Sequence, residues 1–247
     1  MGIRSTARTL LPALLLAAGS GMAQEHPDLS GAWTSYRAPA AAGAPPAAAP
    51  QPKFKPEAKA AAAAYRALID GTNYAPGNAC VGYGMPEFIL NVGGGYPMEI
   101  IQRPEQVLIL NELHNELRRL YLPGEARDPE RFFPERNGYS TAQWQGERLV
   151  VQTSRLKTQV DTRYPHSNAA TVREEFYLDA PLPDGTKVLA VDLVLEDPLW
   201  LEEPYHVTRR WQALPDYHVR SYECNEPKWL DEMEQLYEQA GLEMVQE

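Results

Sequence analysis

The chain has 247 residues, 44% of them hydrophobic and 23% charged, with 23 Lys+Arg against 33 Asp+Glu and a formal charge of −10. That length fits one or two domains able to bury most of their apolar surface without metals or many crosslinks, and the acidic balance argues against nucleic acid or an anionic membrane as the main partner. Five Trp and thirteen Tyr argue against disorder throughout, whereas 22 Pro, about 9% of the chain against a usual ~5%, put part of the length outside the core.

The first 23 residues read as a secretory signal. Arg4 and Arg8 form the charged region, Leu10 to Ala18 is apolar but too short to span a bilayer, and Gly21-Met22-Ala23 precedes a cut before Gln24. The alternative is an apolar N-terminal helix kept in the fold. No Cys follows the cut, so no lipid anchor is indicated, and no later stretch approaches the ~18 apolar residues of a membrane span. These features predict a periplasmic or secreted protein with no membrane insertion. Losing two Arg and no acid takes the charge to −12. In an oxidising compartment Cys80 and Cys224, the only cysteines, either pair or stay as two buried thiols. A bond would close a loop of about 145 residues, worth roughly 5 kcal/mol. Neither Cys lies in a CxxC or CxH cluster, so no metal site is expected, and no cofactor motif is present.

A first strand is expected within 24–37, at Asp28 to Thr34. An Ala/Pro linker follows over 38–55, reading as extended or disordered. Pro56 opens a helix that runs to Ile69 and stops before Gly71, the tether reading of its Ala run being the alternative. The rest of 56–96 is irregular and Gly-rich; Gly93-Gly94-Gly95 lacks the Lys and helix of a phosphate loop. From Pro97 strands joined by short turns take over: Met98–Arg103, Val107–His114, Leu117–Leu122, Tyr139–Trp144, Arg148–Ser154, Ala170–Leu178, Lys187–Glu196, Tyr205–Leu214 and Tyr217–Cys224. A meander of this length closes on itself to remove its edges. Pro227 to Ala240 reads as an amphipathic helix ending at Gly241. The expected fold is mainly β: an antiparallel up-and-down β-barrel over 97–247, with an N-terminal helix and a C-terminal amphipathic helix.

Alternation shows which polar groups share an apolar face. With Asn115-Glu116 as a two-residue turn, Glu112 faces Arg119 and Leu110 faces Tyr121, so Glu112, His114, Arg119 and Tyr121 sit among leucines. Such a patch binds a polar ligand group or does acid–base chemistry; the bland alternative is a cross-strand Glu112–Arg119 ion pair in solvent. Glu174 lies among Val172, Phe176 and Leu178, and Asp192 among Val188, Ala190 and Val194. A buried acid needs a counter-charge, and Arg209, near Trp211, is one candidate. His166, in the loop between two hairpins, is either a general base or solvated; His206 and His218 read as exposed strand residues. Gly138–Ala142 begins a hairpin and lacks the last glycine of a nucleophile elbow.

Ser30-Gly31-Ala32-Trp33 resembles the GxW signature of lipocalin-like (calycin) barrels, which implies that Trp33 closes the barrel's bottom. More broadly, the chain resembles a group of uncharacterised secreted bacterial proteins through Asp28–Trp33, Cys80, Pro97–Gln102, Arg118–Tyr121, Asn137–Ser140, Trp144–Val151, Pro165-His166-Ser167, Glu196-Asp197-Pro198 and Tyr222-Glu223-Cys224. Where that group reads GDSVGRW, this chain reads NGYSTAQW. The likeness implies export and a shared barrel, and supplies no reaction. Two functions are expected to compete. One is a barrel enclosing a small apolar or aromatic molecule, with Arg119, Tyr121, Glu174, Arg209 and Trp211 as contacts. The other is a cofactor-independent lyase, isomerase or hydrolase, with His114 or His166 as base and Glu112 or Glu174 orienting it.

Overall fold

The computed structural model describes residues 26–36, 50–90 and 96–241, with the side chains of 225–232 excepted. The signal segment, most of the Ala/Pro run and the triple glycine therefore lie outside the described residues. Nine strands close into one barrel: β1 (Gly31–Ser35), β2 (Met98–Gln102), β3 (Gln106–Asn111), β4 (Glu116–Tyr121), β5 (Tyr139–Gln145), β6 (Arg148–Ser154), β7 (Thr171–Asp179), β8 (Val188–Glu196) and β9 (Tyr205–Leu214). The strands are rich in Val, Ile, Leu and Thr, and β8 shows how they fill the interior. Leu189, Val191, Leu193 and Leu195 point inward with at most 1% exposure. Trp33 also faces inward and donates its indole N–H to the Leu29 carbonyl at 3.0 Å.

Closure has a parity condition. A ring whose neighbours all run antiparallel needs an even number of strands, so nine must include at least one parallel pair. β9 closes antiparallel on β1, and the parallel pair falls at β4–β5, after the long 122–138 connection. These two strands meet only where Leu120 lies opposite Ser140 and Tyr121 opposite Thr141, whereas β7 and β8 pair along nine positions. The up-and-down barrel is thus present, with one short parallel junction.

The expected strand at Tyr217–Cys224 is absent. This segment is an irregular strap over β2 and the β3–β4 turn, with three of its backbone N–H groups taken by side chains rather than by a neighbouring strand. Glu99 accepts from Val219 N (3.1 Å), Glu112 from Arg220 N (3.0 Å), and Asn115 from Tyr222 N (2.8 Å). Cys224, at its end, is disulfide-bonded to Cys80 with a Cα separation of 5.7 Å.

Helix α1 (Pro56–Ile69) forms as its sequence dictates, with Pro at its start and Gly71 in the left-handed region beyond its end. It buries Ala58 and Ala62, one turn apart, and is tied down by Phe54 pairing with Leu201 and by Lys55 N to Trp200 O (2.9 Å). The short α2 (Glu87–Leu90) is buried along its whole length; Met85, Phe88, Ile89 and Leu90 join the barrel core. α3 (Asn225–Ala240) ends at a left-handed Gly241, leaving Leu236 exposed. Among the described residues no helix is long and apolar enough to cross a membrane.

Candidate functional site

The polar face expected on β3 and β4 is not assembled. β3 stops at Asn111. Glu112 turns helical, and Leu113–Asn115 form a tight turn in which His114 (φ 63°) and Asn115 (φ 51°) are left-handed. With four residues in the turn instead of two, Leu108 lies opposite Arg119 and Gln106 opposite Tyr121. This pairing puts Val107 and Ile109 inside, while Arg119 and Tyr121 lie on the outer face. There Arg119 sits 5.8 Å over the Tyr121 ring, which stacks on Tyr139 (5.1 Å), itself stacked on Phe132 (4.1 Å). Glu112 accepts from Tyr217 Oη at 2.5 Å and so anchors the strap. His114 is wedged between Tyr83 and Tyr222, 5.3 Å from each, and neither ring nitrogen finds a partner among the described residues. Burial holds its pKa below the ordinary value.

Glu174 does face the interior, as alternation requires, but its partner is Arg118, not Arg209. Arg118 Nη1 donates to Glu174 Oε1 at 2.9 Å and Nη2 to Oε2; Nη2 also reaches Thr153 Oγ1 (2.8 Å) and Ser140 Oγ (3.2 Å). Both ionised groups are nearly inaccessible, at 1% and 0% of the side chain. Arg209 is half-buried and donates to the Leu90 carbonyl (3.4 Å), tying α2 to the inner face of β9, and it lies beside Tyr205, whose phenol burial pushes up to about 12. Trp211 is buried in the core opposite Leu189. Asp192 faces outward, within 3.2 Å of Arg148 and accepting from Thr208 (2.7 Å). His206 and His218 are exposed, His218 on the strap and not on a strand.

The lumen is therefore filled. Its wall residues have almost no accessible surface, and Met85, Phe88, Ile89 and Leu90 pack into that core, where an enclosed ligand was expected. Polar chemistry gathers instead above this plug, under the loops 155–170 and 197–204. Glu116, on the inward face of β4, accepts from Gly84 N (2.8 Å) and Tyr83 N (3.1 Å). Burial raises its pKa against the pull of those donors, of Asn137 and of the Arg136 charge. Arg136 pairs with Asp161, and the buried Glu87 carboxylate takes Thr162 Oγ1 and Arg163 N (3.0 Å).

At the centre of this end, Gln159 and His166 form an isolated antiparallel bridge with both backbone bonds made, at 2.9 and 3.0 Å. Directly opposed residues project to the same side, with Cβ atoms roughly 5.5 Å apart. His166 is fully buried, and its Nδ1 lies 2.9 Å from the Tyr164 carbonyl. A carbonyl can only accept, so Nδ1 carries the proton and Nε2 presents a bare lone pair. Nε2 finds no partner, and neither does Gln159 Oε1, whose amide nitrogen is used on Tyr83 O (3.0 Å). Burial lowers the His166 pKa, outweighing the Tyr164 hydrogen bond and the charges of Asp197 and Asp161, which raise it, so the ring is neutral at pH 7. Asp197 meanwhile organises the neighbouring loop, accepting from Ser167 N (2.7 Å) and Ser167 Oγ (2.8 Å).

The chain matches no family model, no curated protein and no solved structure. Sequence reasoning found His166 and missed Gln159, Glu116 and the Arg136–Asp161 pair. Residues 155–169 carry no period to assign a face, whereas Arg118 was findable, because it shares its side of β4 with Leu120.

Proposed function

We propose that the protein is an exported β-barrel that binds a small molecule at its loop-covered end. The ligand has an apolar or aromatic body and at least one O–H or N–H donor. One observation carries this reading: His166 Nε2 and Gln159 Oε1 are buried acceptors on opposed residues of one bridge, and neither is satisfied. An unmet buried acceptor costs about 1–3 kcal/mol, so two on one side favour a shared donor. The disulfide fits an oxidising compartment and supports export. The stacked Tyr164 and Tyr205, 6.0 Å apart, supply apolar surface beside His166.

The test is native mass spectrometry of protein taken from its producing cells without denaturation. The expected result is a non-covalent adduct that is absent from a Gln159→Leu/His166→Phe variant. An adduct that persists in the variant refutes the reading. So does an adduct-free wild type accompanied by a variant that unfolds at higher temperature, since the acceptors would then be purely a structural cost.

The enzyme reading survives in one form, with His166 as general base, because its tautomer leaves Nε2 free and neutral at pH 7. Glu112, Glu174, Arg119 and Tyr121 do not converge on it, since they serve the strap, the lumen pair and the outer face. Turnover of the adduct that disappears in His166→Gln would establish this form.

A further inference from the structure

The opposite end of the barrel carries a second feature, which does not depend on the reading above. Below Tyr121, β4 departs and the lower half of β5 has no neighbour on that side. The gap is a cleft of about 600 Å³ lined by Trp144, Gln143, Gln102, Arg103 and Leu122. It shares Pro123 and Gln143 with an outer groove of about 470 Å³ that runs over Thr141, Gln145, Gln152 and Arg173. The two meet at Pro123 and Gln143 as one trough that wraps the free edge of β5, with Trp144 on the inner side and Thr141, Gln143 and Gln145 on the outer side.

Three properties set its chemistry. First, the Trp144 face is already occupied by a flat ring: His26 stacks on it at 4.7 Å and 6°, with its buried Nδ1 unpartnered. Second, the side chains of Thr141, Gln143, Gln145 and Gln152 point outward from adjacent strands, Thr141 directly opposite Gln152, and make no hydrogen bond among the described residues. Third, the described lining has two arginines and no carboxylate, in a chain whose acids exceed its Lys and Arg by ten.

We propose that this trough is a binding groove for a short oligosaccharide. A pyranose presents an apolar C–H face that stacks on an indole and a rim of hydroxyls that both donate and accept, as side-chain amides do. One sugar replaces His26 on Trp144, and its neighbours pass round the free edge of β5 to set their hydroxyls on Gln143, Gln145, Gln152 and Thr141 on the outer side. A lone aromatic compound would use Trp144 and leave the amides idle. An extended peptide would pair with the free edge of β5 backbone to backbone, so its binding would survive loss of the Gln143 and Gln152 amides. His26 is then an internal competitor, and the apparent affinity falls by the fraction of time it covers the indole.

The test is calorimetric titration with chitotriose, cellotriose, laminaritriose and trigalacturonate, on wild type, His26→Ala and Gln143→Ala/Gln152→Ala. The latter pair lies on the exposed outer face, so its loss spares the core. At least one trisaccharide is expected to bind, more tightly to His26→Ala and roughly tenfold more weakly to the double variant. Preference for trigalacturonate assigns Arg103 and Arg173 to an acidic sugar; preference for a neutral sugar assigns recognition to the amides. No binding of any of the four to His26→Ala overturns the proposal, as does binding that the double variant leaves unchanged.

Discussion

Arg118 and Glu174 give the sharpest energetic prediction. Arg118→Met leaves a carboxylate in a site with 0% exposure, and Glu174→Leu leaves a guanidinium with only two hydroxyls for company. Breaking a buried pair from one side costs about 3–5 kcal/mol. For a domain of this size that corresponds to a fall in Tm of roughly 6–20 °C. Arg118→Met/Glu174→Leu behaves differently. Both charges are gone, and Ser140 Oγ and Thr153 Oγ1, 2.9 Å apart, still bond to each other, so no polar group is stranded. The double variant is expected within about 1 kcal/mol of wild type or above it, far from the sum of the singles. Urea unfolding with the disulfide kept oxidised, compared at constant m-value, reads all three. A single substitution costing less than about 1 kcal/mol, or a double variant that falls by the sum, refutes the assignment of these two as a mutually dependent buried pair.

Four further outcomes follow. Cys80→Ala/Cys224→Ala is expected to lose roughly 2–5 kcal/mol and to speed amide exchange at Val219, Arg220 and Tyr222, the strap residues whose N–H groups Glu99, Glu112 and Asn115 accept; unchanged exchange would show that those three side chains hold the strap alone. The Glu116 pKa is raised in the fold, so the folded protein holds that proton more tightly than the unfolded chain, and the group's contribution to stability falls as pH rises from the ordinary carboxylate range. Glu116→Gln should therefore improve relative to wild type between about pH 4 and 7, and a flat difference in urea midpoints argues against it. For His166 the sign reverses: its pKa is lowered, so the unfolded chain takes up a proton first and stability is lost as pH falls below about 6.5. Nitrogen-15 NMR should show a neutral ring protonated on Nδ1 persisting below that pH, and a cationic ring there would remove it as a base. Gly138 and Gly146 both have φ near +60°, yet a Cβ on Gly138 would sit 2.4 Å from Ser154 O while one on Gly146 meets open space; Gly138→Ala should cost about 1–3 kcal/mol more than Gly146→Ala in the same unfolding assay.

The barrel was legible because its later strands alternate cleanly. Val172, Glu174, Phe176 and Leu178 lie on one inner face as their spacing requires; α1 begins at Pro56 and stops before Gly71, and α3 stops at Gly241 but starts at Asn225, two residues before the expected Pro227. β3 was not legible in the same way. Val107, Leu108, Ile109 and Leu110 are apolar on both faces, so alternation cannot say which side is in, and the turn was read two residues too short. The left-handed His114 and Asn115 are what that reading missed, although both residue types visit that conformation more often than most. The strap failed for another reason. Tyr217–Cys224 alternates like a strand, but its hydrogen bonds go to Glu99, Glu112 and Asn115, far away in sequence. The candidate site was half visible: a loop histidine stands out by type, whereas a glutamine acquires meaning only when its opposite number on a bridge is known.

The parallel junction has a mechanical consequence. Parting β4 from β5 would leave every other joint intact and turn the barrel into a single curled sheet with β4 and β5 as raw edges, free to be taken up by a second copy. Arg118 sits where that would begin. From β4 it spans the junction to Ser140 on β5, Thr153 on β6 and Glu174 on β7. The interior charge pair is the clasp of the ring, fastened from inside where the backbone fastening is shortest.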